Sequence, residues 1–537
     1  MPSCDLDFYS NFGALNDTDR HFRLKASSFM SKKRRILANA SWNWAGMAAS
    51  MAAGFVTAPF LVSRLGETNY GLWIIIASFT SYFGMLDLGV RGAVGRQLAF
   101  HLARGDRMGV NGVLGTSLLI LSGAGLVAFA CSLGAASIIT RLFEIPPGQV
   151  AGSRTALVLI GVNLALWLPL NLFDATLWAH QRFDLINAID IAAVTLRTTL
   201  TFALIGQGHG LVTLAWLNLI SLAGAQAVKG VMSFRIDPRL RVLPDDANWA
   251  ATRDLLGFGI WYFLITGSRT LTTQASPLIV GAQLGIGAVT PYSIASRLIG
   301  YSGALIVAGT GVLTPIATAL HAEGSGDRQR WLLIEGGKYC ASLSLFLVIF
   351  FLCFGRSLIS AWMGPNFAAA SSILSILALG EALPMSQWVT HGLILGMGRH
   401  RPLALANLAE CVVAVALAVV LAGPLGLIGI CYAFALPAVA CRGIFQLGYG
   451  CRLLELPIKH YLARVIVPAV AAAAIPATLL ASGLTLAPPA SPVGLIVWML
   501  LYSATYGISC AIVLVGPGRL RTLGALAVQK LQAAETR

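Results

Sequence analysis

The chain is a nearly unbroken succession of apolar stretches, each about as long as a bilayer is thick. That one feature limits the fold more than any motif. A helix rises 1.5 Å per residue, so roughly 30 Å of bilayer hydrocarbon takes about 20 apolar residues. Stretches of this kind run at 40–63, 70–90, 109–135, 155–178, 185–206, 211–233 and 255–284. They continue at 288–318, 331–355, 368–396, 402–422, 426–448, 463–482 and 493–516. Turns rich in Gly and Pro, such as Gly206-Gln207-Gly208-His209-Gly210 and Gly423-Pro424-Leu425-Gly426, separate neighbours as helical hairpins. Short alternating strands are missing, so the spanning element is a helix and not a barrel strand. Only 11% of the 537 residues are charged, against roughly 25% in soluble domains. A mean hydropathy of +0.76 agrees. The expected fold is all-α and integral to the membrane, with about fourteen transmembrane helices.

Charge then orients these helices. Of the 37 Lys and Arg, 28 fall on the side that holds the N-terminus, among them Lys229, Arg235, Arg239 and Arg241. Four (Arg64, Arg141, Arg154, Arg356) fall on the other side, and five lie inside spans. Basic loops stay in the cytoplasm, so both termini are expected there, in a multi-pass protein of the bacterial inner membrane. The net charge of +15 therefore reflects membrane orientation, and nothing supports a nucleic-acid partner. The basic run Ser31-Lys32-Lys33-Arg34-Arg35 precedes a full-length span, unlike the short apolar region of a cleaved signal. It reads as a topology anchor. The tail from Arg519 to Arg537 is expected to form a short amphipathic helix on the cytoplasmic surface.

Several chemistries are excluded. The nine cysteines are scattered, without a CxxC or a Cys/His cluster, so neither a metal site nor a disulfide framework is indicated. There is no GxxxxGK[ST] phosphate loop, and Gly309-Thr310-Gly311 sits within a span without strand context. The non-cytoplasmic loops are too short for a folded catalytic domain. No cofactor is expected, and the chain does not read as an enzyme.

The two halves echo each other. An offset of 219 carries Leu65-Gly66 onto Leu284-Gly285, Ile75 onto Ile294, Tyr82 onto Tyr301, Gly84 onto Gly303, Ala103 onto Ala322 and Gly105 onto Gly324. An offset of 220 pairs Asn187-x-x-Asp190 with Asn407-x-x-Glu410. Six spans separate each match, which implies a parallel repeat of two six-helix lobes plus two C-terminal helices. The expected divisions are a basic N-terminal segment (1–37), an N-lobe (38–234), an inter-lobe loop (235–254) and a C-lobe (255–448). Helices thirteen and fourteen (463–516) and a tail (517–537) follow. Transporters often place their substrate site between such halves.

The run Pro59-Phe60-Leu61-Val62-Ser63-Arg64-Leu65-Gly66, then Tyr70-Gly71-Leu72-Trp73, Asp87-Leu88-Gly89 and Ala103-Arg104-Gly105-Asp106 resembles the opening of the polysaccharide-export flippases. These are Wzx-type members of the multidrug/oligosaccharidyl-lipid/polysaccharide exporter superfamily. Leu284-Gly285 with Tyr292-Ser293-Ile294-Ala295-Ser296-Arg297-Leu298 resembles the family's seventh-to-eighth helix region. The resemblance spans residues 36–516. It implies movement of an undecaprenyl-diphosphate-linked oligosaccharide across the membrane for surface polysaccharide, by alternating exposure of the two lobes. Polysaccharide polymerase and glycosyltransferases would be its partners. A drug/cation antiporter of the same superfamily and a membrane polysaccharide polymerase are the alternatives.

Charges within spans are the candidate site, because each costs about 2.5–3.5 kcal/mol at the bilayer centre unless it faces protein or water. Arg297, Arg269 and Arg197 are the candidate substrate-binding residues. A guanidinium stays protonated and its planar fork suits phosphate oxygens. The competing reading for Arg269 and Arg297 is an internal ion pair, for instance with Glu381 or Glu410. Asp190 and Arg197 share a helix face about 10 Å apart along the axis. Asp190, Glu410 and Glu381 are the ion-coupling candidates, for protons or sodium. Arg442 and Asp174 read as structural.

Overall fold

The computed structural model describes residues 17–87, 90–205, 210–310, 313–486 and 492–516. The tail from Arg519 onward, with its expected amphipathic helix, lies outside the described residues, as do the side chains of the basic run at 31–35. The described residues form eighteen α-helices and no strand. The first seven are α1 (Asp17–Gly84), α2 (Val90–Arg104), α3 (Arg107–Leu142), α4 (Val150–Leu170), α5 (Leu172–Ala179), α6 (Phe183–Ile205) and α7 (Leu211–Ile236). Next come α8 (Trp249–Gln283), α9 (Ile286–Thr310), α10 (Leu313–Ala322), α11 (Gly326–Met363), α12 (Ala370–Ser386), α13 (Trp388–Gly396) and α14 (His400–Ala438). The chain ends with α15 (Gln446–Leu453), α16 (Ile458–Tyr461), α17 (Val467–Leu486) and α18 (Pro492–Cys510).

Ten of these helical runs are long and apolar enough to cross a membrane, or eleven when the bent pair α9 and α10 counts as one span. The protein is an all-α, multi-pass membrane protein with ten or more candidate spans among the described residues. Runs rather than crossings are counted, and two of the runs are merged. Ser41–Asp87 has 47 residues and His400–Leu453 has 54, each much longer than one crossing requires. Each is interrupted at one glycine: Gly66 (φ 80°) and Gly426 (φ 58°), where a residue with a Cβ is disfavoured. Many large apolar side chains face outward, such as Leu126 at 66% and Val420 at 67% exposed. Such surfaces suit lipid and would promote aggregation in water.

Backbone details recur along the chain at the offsets noticed in the sequence. Gly66 and Gly285 both have positive φ, 80° and 88°. Gly105 and Gly324 end α2 and α10 at φ 68° and 67°. Each end is closed by the same two bonds: Gly105 N–H to Leu102 O and Asp106 N–H to His101 O, then Gly324 N–H to His321 O and Ser325 N–H to Leu320 O. This is the Schellman closure, which glycine favours. Asp106 then caps α3, accepting from Gly109 N–H at 2.9 Å. That bond and His101 hold its carboxyl below the ordinary aspartate range. Two stretches read as single spans are broken: α4 gives way to α5 at Asn171, after Pro169, and α12 to α13 at Gln387, after Pro384. Proline removes a helix donor and crowds the preceding turn, so both breaks follow from the sequence.

Close helix contacts rest on small residues, because lipid supplies no hydrophobic drive between helices. Between α3 and α4, a Cβ on Gly161 would lie 2.7 Å from Ser132 Cβ, and one on Gly125 2.9 Å from Ala165 O. The connection after α7 is strapped to the first half. Arg107 pairs with Asp237, Arg241 N–H reaches Asn111 Oδ1 at 3.2 Å, and Asn248 N–H reaches Thr116 Oγ1 at 3.1 Å. Leu240 is buried there with Val110 and Leu114, and a Cβ on Gly112 would lie 2.5 Å from Asn248 Nδ2.

The two halves of the chain meet where α1 bends. Thr290 on α9 donates to Glu67 O at 2.7 Å, and a Cβ on Gly71 would lie 2.5 Å from Ile286 O. Trp362 donates to Phe55 O at 2.7 Å and stacks on its ring at 4.4 Å. Away from the bend, along both arms of α1, these contacts give way to open space.

Candidate functional site

That space is a cavity of about 880 Å³. Its wall is built from Asn43, Thr80 and Ser81 on α1, Asp87 in the turn after it, Asn163 and Trp167 on α4, and Asp174 and Trp178 on α5. Phe183 and Asn187 on α6, Asn218 on α7, and Phe263, Thr266 and Thr270 on α8 complete it. The break at Asn171 matters here, because it turns α5 so that both Trp167 and Trp178 face the same space. Polar side chains inside an apolar bundle mark a water-accessible passage, since each would cost free energy against lipid.

Of the residues singled out from the sequence, none of the three arginines is among the cavity's lining residues. Arg197 stands one step behind the wall, donating to Asn218 Oδ1 at 2.9 Å. Arg269 follows α8 residues that line the space, but its guanidinium stacks over the Trp388 ring, 4.9 Å from the centroid. Arg297 donates to Gly54 O at 3.3 Å, across the contact of α1 with α9. Hydrophobic length places a residue along a helix; it does not decide which side of the helix the residue faces.

The carboxylates gather into two clusters. In the first half, Lys229 Nζ sits 2.6 Å from Asp174 Oδ1 and 2.7 Å from Asp190 Oδ1, while Gln226 Nε2 donates to Asp174 Oδ2 at 2.7 Å. Lys229 is no loop cation: its side chain is only 3% exposed within α7. It therefore leaves the set of loop charges. In the second half, Arg442 Nε donates to Glu410 at 2.9 Å, and its two terminal nitrogens reach Glu381 at 2.9 and 2.5 Å. The internal partner of Glu381 and Glu410 is thus Arg442, not Arg269 or Arg297. Arg442 lies in a π-helical turn, 439–445, a local widening that often marks functional positions. Each cluster joins two carboxylates to one cation, from α5, α6 and α7 in one case, and from α12, α14 and the π-turn in the other. Asp190 and Glu410, paired at an offset of 220, occupy matching places in the two.

Lys229 and Asn163 were missed in the sequence. The signal for Lys229 was the isolated Asp190, which needs a buried counter-charge. Asn163, 3% exposed, keeps one amide nitrogen without a hydrogen-bond partner at the cavity wall. Among the described residues, no cluster of His, Cys, Asp and Glu is arranged to hold a metal ion.

Comparison with known proteins adds independent findings. A family model described as "Polysaccharide biosynthesis protein" matches residues 114–372. A curated relative, the "Putative O-antigen transporter" of Shigella flexneri, is 22% identical over 413 residues, covering 73% of this chain and 93% of the relative. The fold resembles an inward-facing multidrug resistance MATE family transporter of the MOP superfamily, with a TM-score of 0.65 and 15% identity over 76% of this chain and 94% of that one. It equally resembles the lipid II flippase MurJ in an inward closed conformation, with a TM-score of 0.65 and 12% identity over 89% and 98% of the two chains. The chain thus shares the fold of these transporters and, over 114–372, the sequence pattern of polysaccharide biosynthesis proteins.

Proposed function

We propose that the protein moves a polyprenyl-diphosphate-linked oligosaccharide from the cytoplasmic to the outer leaflet of the bacterial inner membrane. The observation that carries this reading is the polar cavity, about 880 Å³, set among lipid-facing helices and closed at one end by the contact of α1 with α8 and α9. A headgroup of a few sugars fits such a volume, while its polyprenyl chain stays in lipid. The lobes 38–234 and 255–448 would rock about that closed end and expose the cavity alternately, with both termini in the cytoplasm. Arg297, tied to Gly54 O, would then act at the closing contact, and Arg197 would orient Asn218 toward cargo. The clusters around Lys229 and Arg442 are the sites where protons or sodium would couple to rocking, through Asp190, Glu410 and Glu381. Glycosyltransferases would supply the cargo and a polymerase would consume it.

Deleting the protein tests the reading by lipid analysis. The expected result is complete lipid-linked repeat units accumulating on the cytoplasmic face. Unpolymerised units outside would instead indicate a polymerase and overturn it. The acidic wall residues Asp87 and Asp174 favour a second reading, a drug/cation antiporter of the same superfamily. That reading predicts cation efflux from loaded vesicles and no change in lipid-linked saccharide on deletion.

A further inference from the structure

One side chain of the cavity wall sets the two halves of the repeat apart. The helices α5 and α13 end alike. In the first half, Gln181 N–H reaches Trp178 O and Arg182 N–H reaches Leu177 O, both at 2.9 Å. In the second, Gly398 N–H reaches Leu395 O at 3.0 Å and Arg399 N–H reaches Ile394 O at 3.2 Å. The residue in the left-handed region is Gln181 (φ 57°) in one and Gly398 (φ 72°) in the other. Trp178 and Leu395 therefore occupy matching places. Leu395 packs against the buried cluster of Ile265, Ile394, Leu403 and Ala404 as apolar filling. Trp178 instead lines the cavity and is 47% exposed.

The indole is held in that position. Its helix shares a buried cluster with α2, Leu172 and Ala175 lying with Ala93, Val94 and Leu98. A Cβ on Gly95 of α2 would lie 3.0 Å from Trp178 Cε3 and 3.5 Å from Cζ3, so this glycine leaves the room that the ring occupies. Phe183, at the start of α6, meets the ring edge-on, with centroids 6.3 Å apart and planes at 73°. A fixed aromatic surface left open inside a cavity favours an occupant that covers it. The face of an aromatic ring carries partial negative charge. The C–H groups on one side of a pyranose are weakly positive and apolar, and they can lie flat on such a face.

We infer that Trp178 is the platform on which a pyranose ring of the headgroup stacks, and that Gly95 is the positioning residue that gives the indole its place. The inference rests on the flippase reading above and adds a binding residue for its saccharide. Stacking draws on C–H groups that every pyranose carries, so it applies to charged and uncharged sugars alike.

The test places the full chain in phosphatidylethanolamine/phosphatidylglycerol liposomes with two probes, short-chain polyprenyl diphosphate with and without an N-acetylglucosamine. Trp178→Leu should slow the sugar-bearing probe about tenfold and Trp178→Phe no more than about threefold. The bare diphosphate lipid should move at one rate in all three proteins. Gly95→Leu should match Trp178→Leu; where it does not fold, the two Trp178 variants decide. Thermal midpoints identify the folded variants. Tryptophan emission gives a readout apart from transport: the sugar-bearing probe should shift it in the wild type, and Trp178→Phe should lose most of that shift. Wild-type movement of the sugar probe by folded Trp178→Leu would overturn the inference and leave the flippase reading standing. So would equal slowing of both probes, which marks a structural role, or an emission shift that Trp178→Phe keeps in full. Wild-type protein that fails to move the sugar-bearing probe would overturn the flippase reading, and the inference with it.

Discussion

Arg442 donates along both edges of its guanidinium to two carboxylates, Glu381 and Glu410, of which Glu410 is almost wholly buried. Such bidentate bonds are short and directional. Their net contribution is still small, because all three charges gave up water to form them. Removing the cation alone is a different matter, since it strands two carboxylates. Arg442→Met is therefore expected to cost about 3–5 kcal/mol, read as a lowered thermal midpoint of the detergent-solubilised protein. Adding Glu381→Leu and Glu410→Leu should restore most of it. If the triple variant is no more stable than the single one, the cluster is not a self-contained charge unit. Glu381, Glu410 and Asp190 were legible in the sequence as costly charges within apolar runs. Their partners were not, because Arg442 is 32 residues from Glu410 and 61 from Glu381. Lys229 escaped for another reason: near the end of an apolar run, a lysine reads equally as a snorkelling loop cation.

Whole helices were more legible than individual side chains. Apolar length located the runs, and the Gly-bearing turns after α2 and α10 fell where the 219-residue offset put corresponding residues. At Gly105 and Gly324 the positive φ makes an added Cβ cost about 1–2 kcal/mol, so each Gly→Ala should lower stability by that amount and by equal measure. Gly161 is a separate case. Its backbone is ordinary helix, but Ser132 fills the space a side chain would need. Gly161→Val should separate α3 from α4, seen as loss of the monodisperse peak in size-exclusion chromatography; a normal peak would mean that this contact yields easily. The breaks at Asn171 and Gln387 were hidden within single apolar runs, though Pro169 and Pro384 announced them. Hydropathy averages over a bend and cannot register it.

At the scale of the molecule, the closed end is the feature that any alternating carrier must open. A Cβ on Gly71 would meet Ile286 O at 2.5 Å there, a main-chain atom that cannot swing aside, so Gly71→Leu should wedge this end apart. Flipping in liposomes is expected to fall in a variant that still inserts and folds. Full activity in that folded variant would show that this end need not close. The sequence foresaw a cavity lined by arginine, and the structure sets all three arginines aside from its wall, because facing is decided by tertiary packing that no single-chain periodicity encodes. The strap from Asp237 to Asn248 has a consequence of its own. Its bonds to Arg107, Asn111 and Thr116 make it part of the first half, so the covalent join to the second half begins only after Asn248. A gene cut after codon 248 should then yield two polypeptides that reassemble when co-expressed, with the first carrying its strap. A cut after codon 236 would leave the strap on the wrong fragment, and complementation should fall.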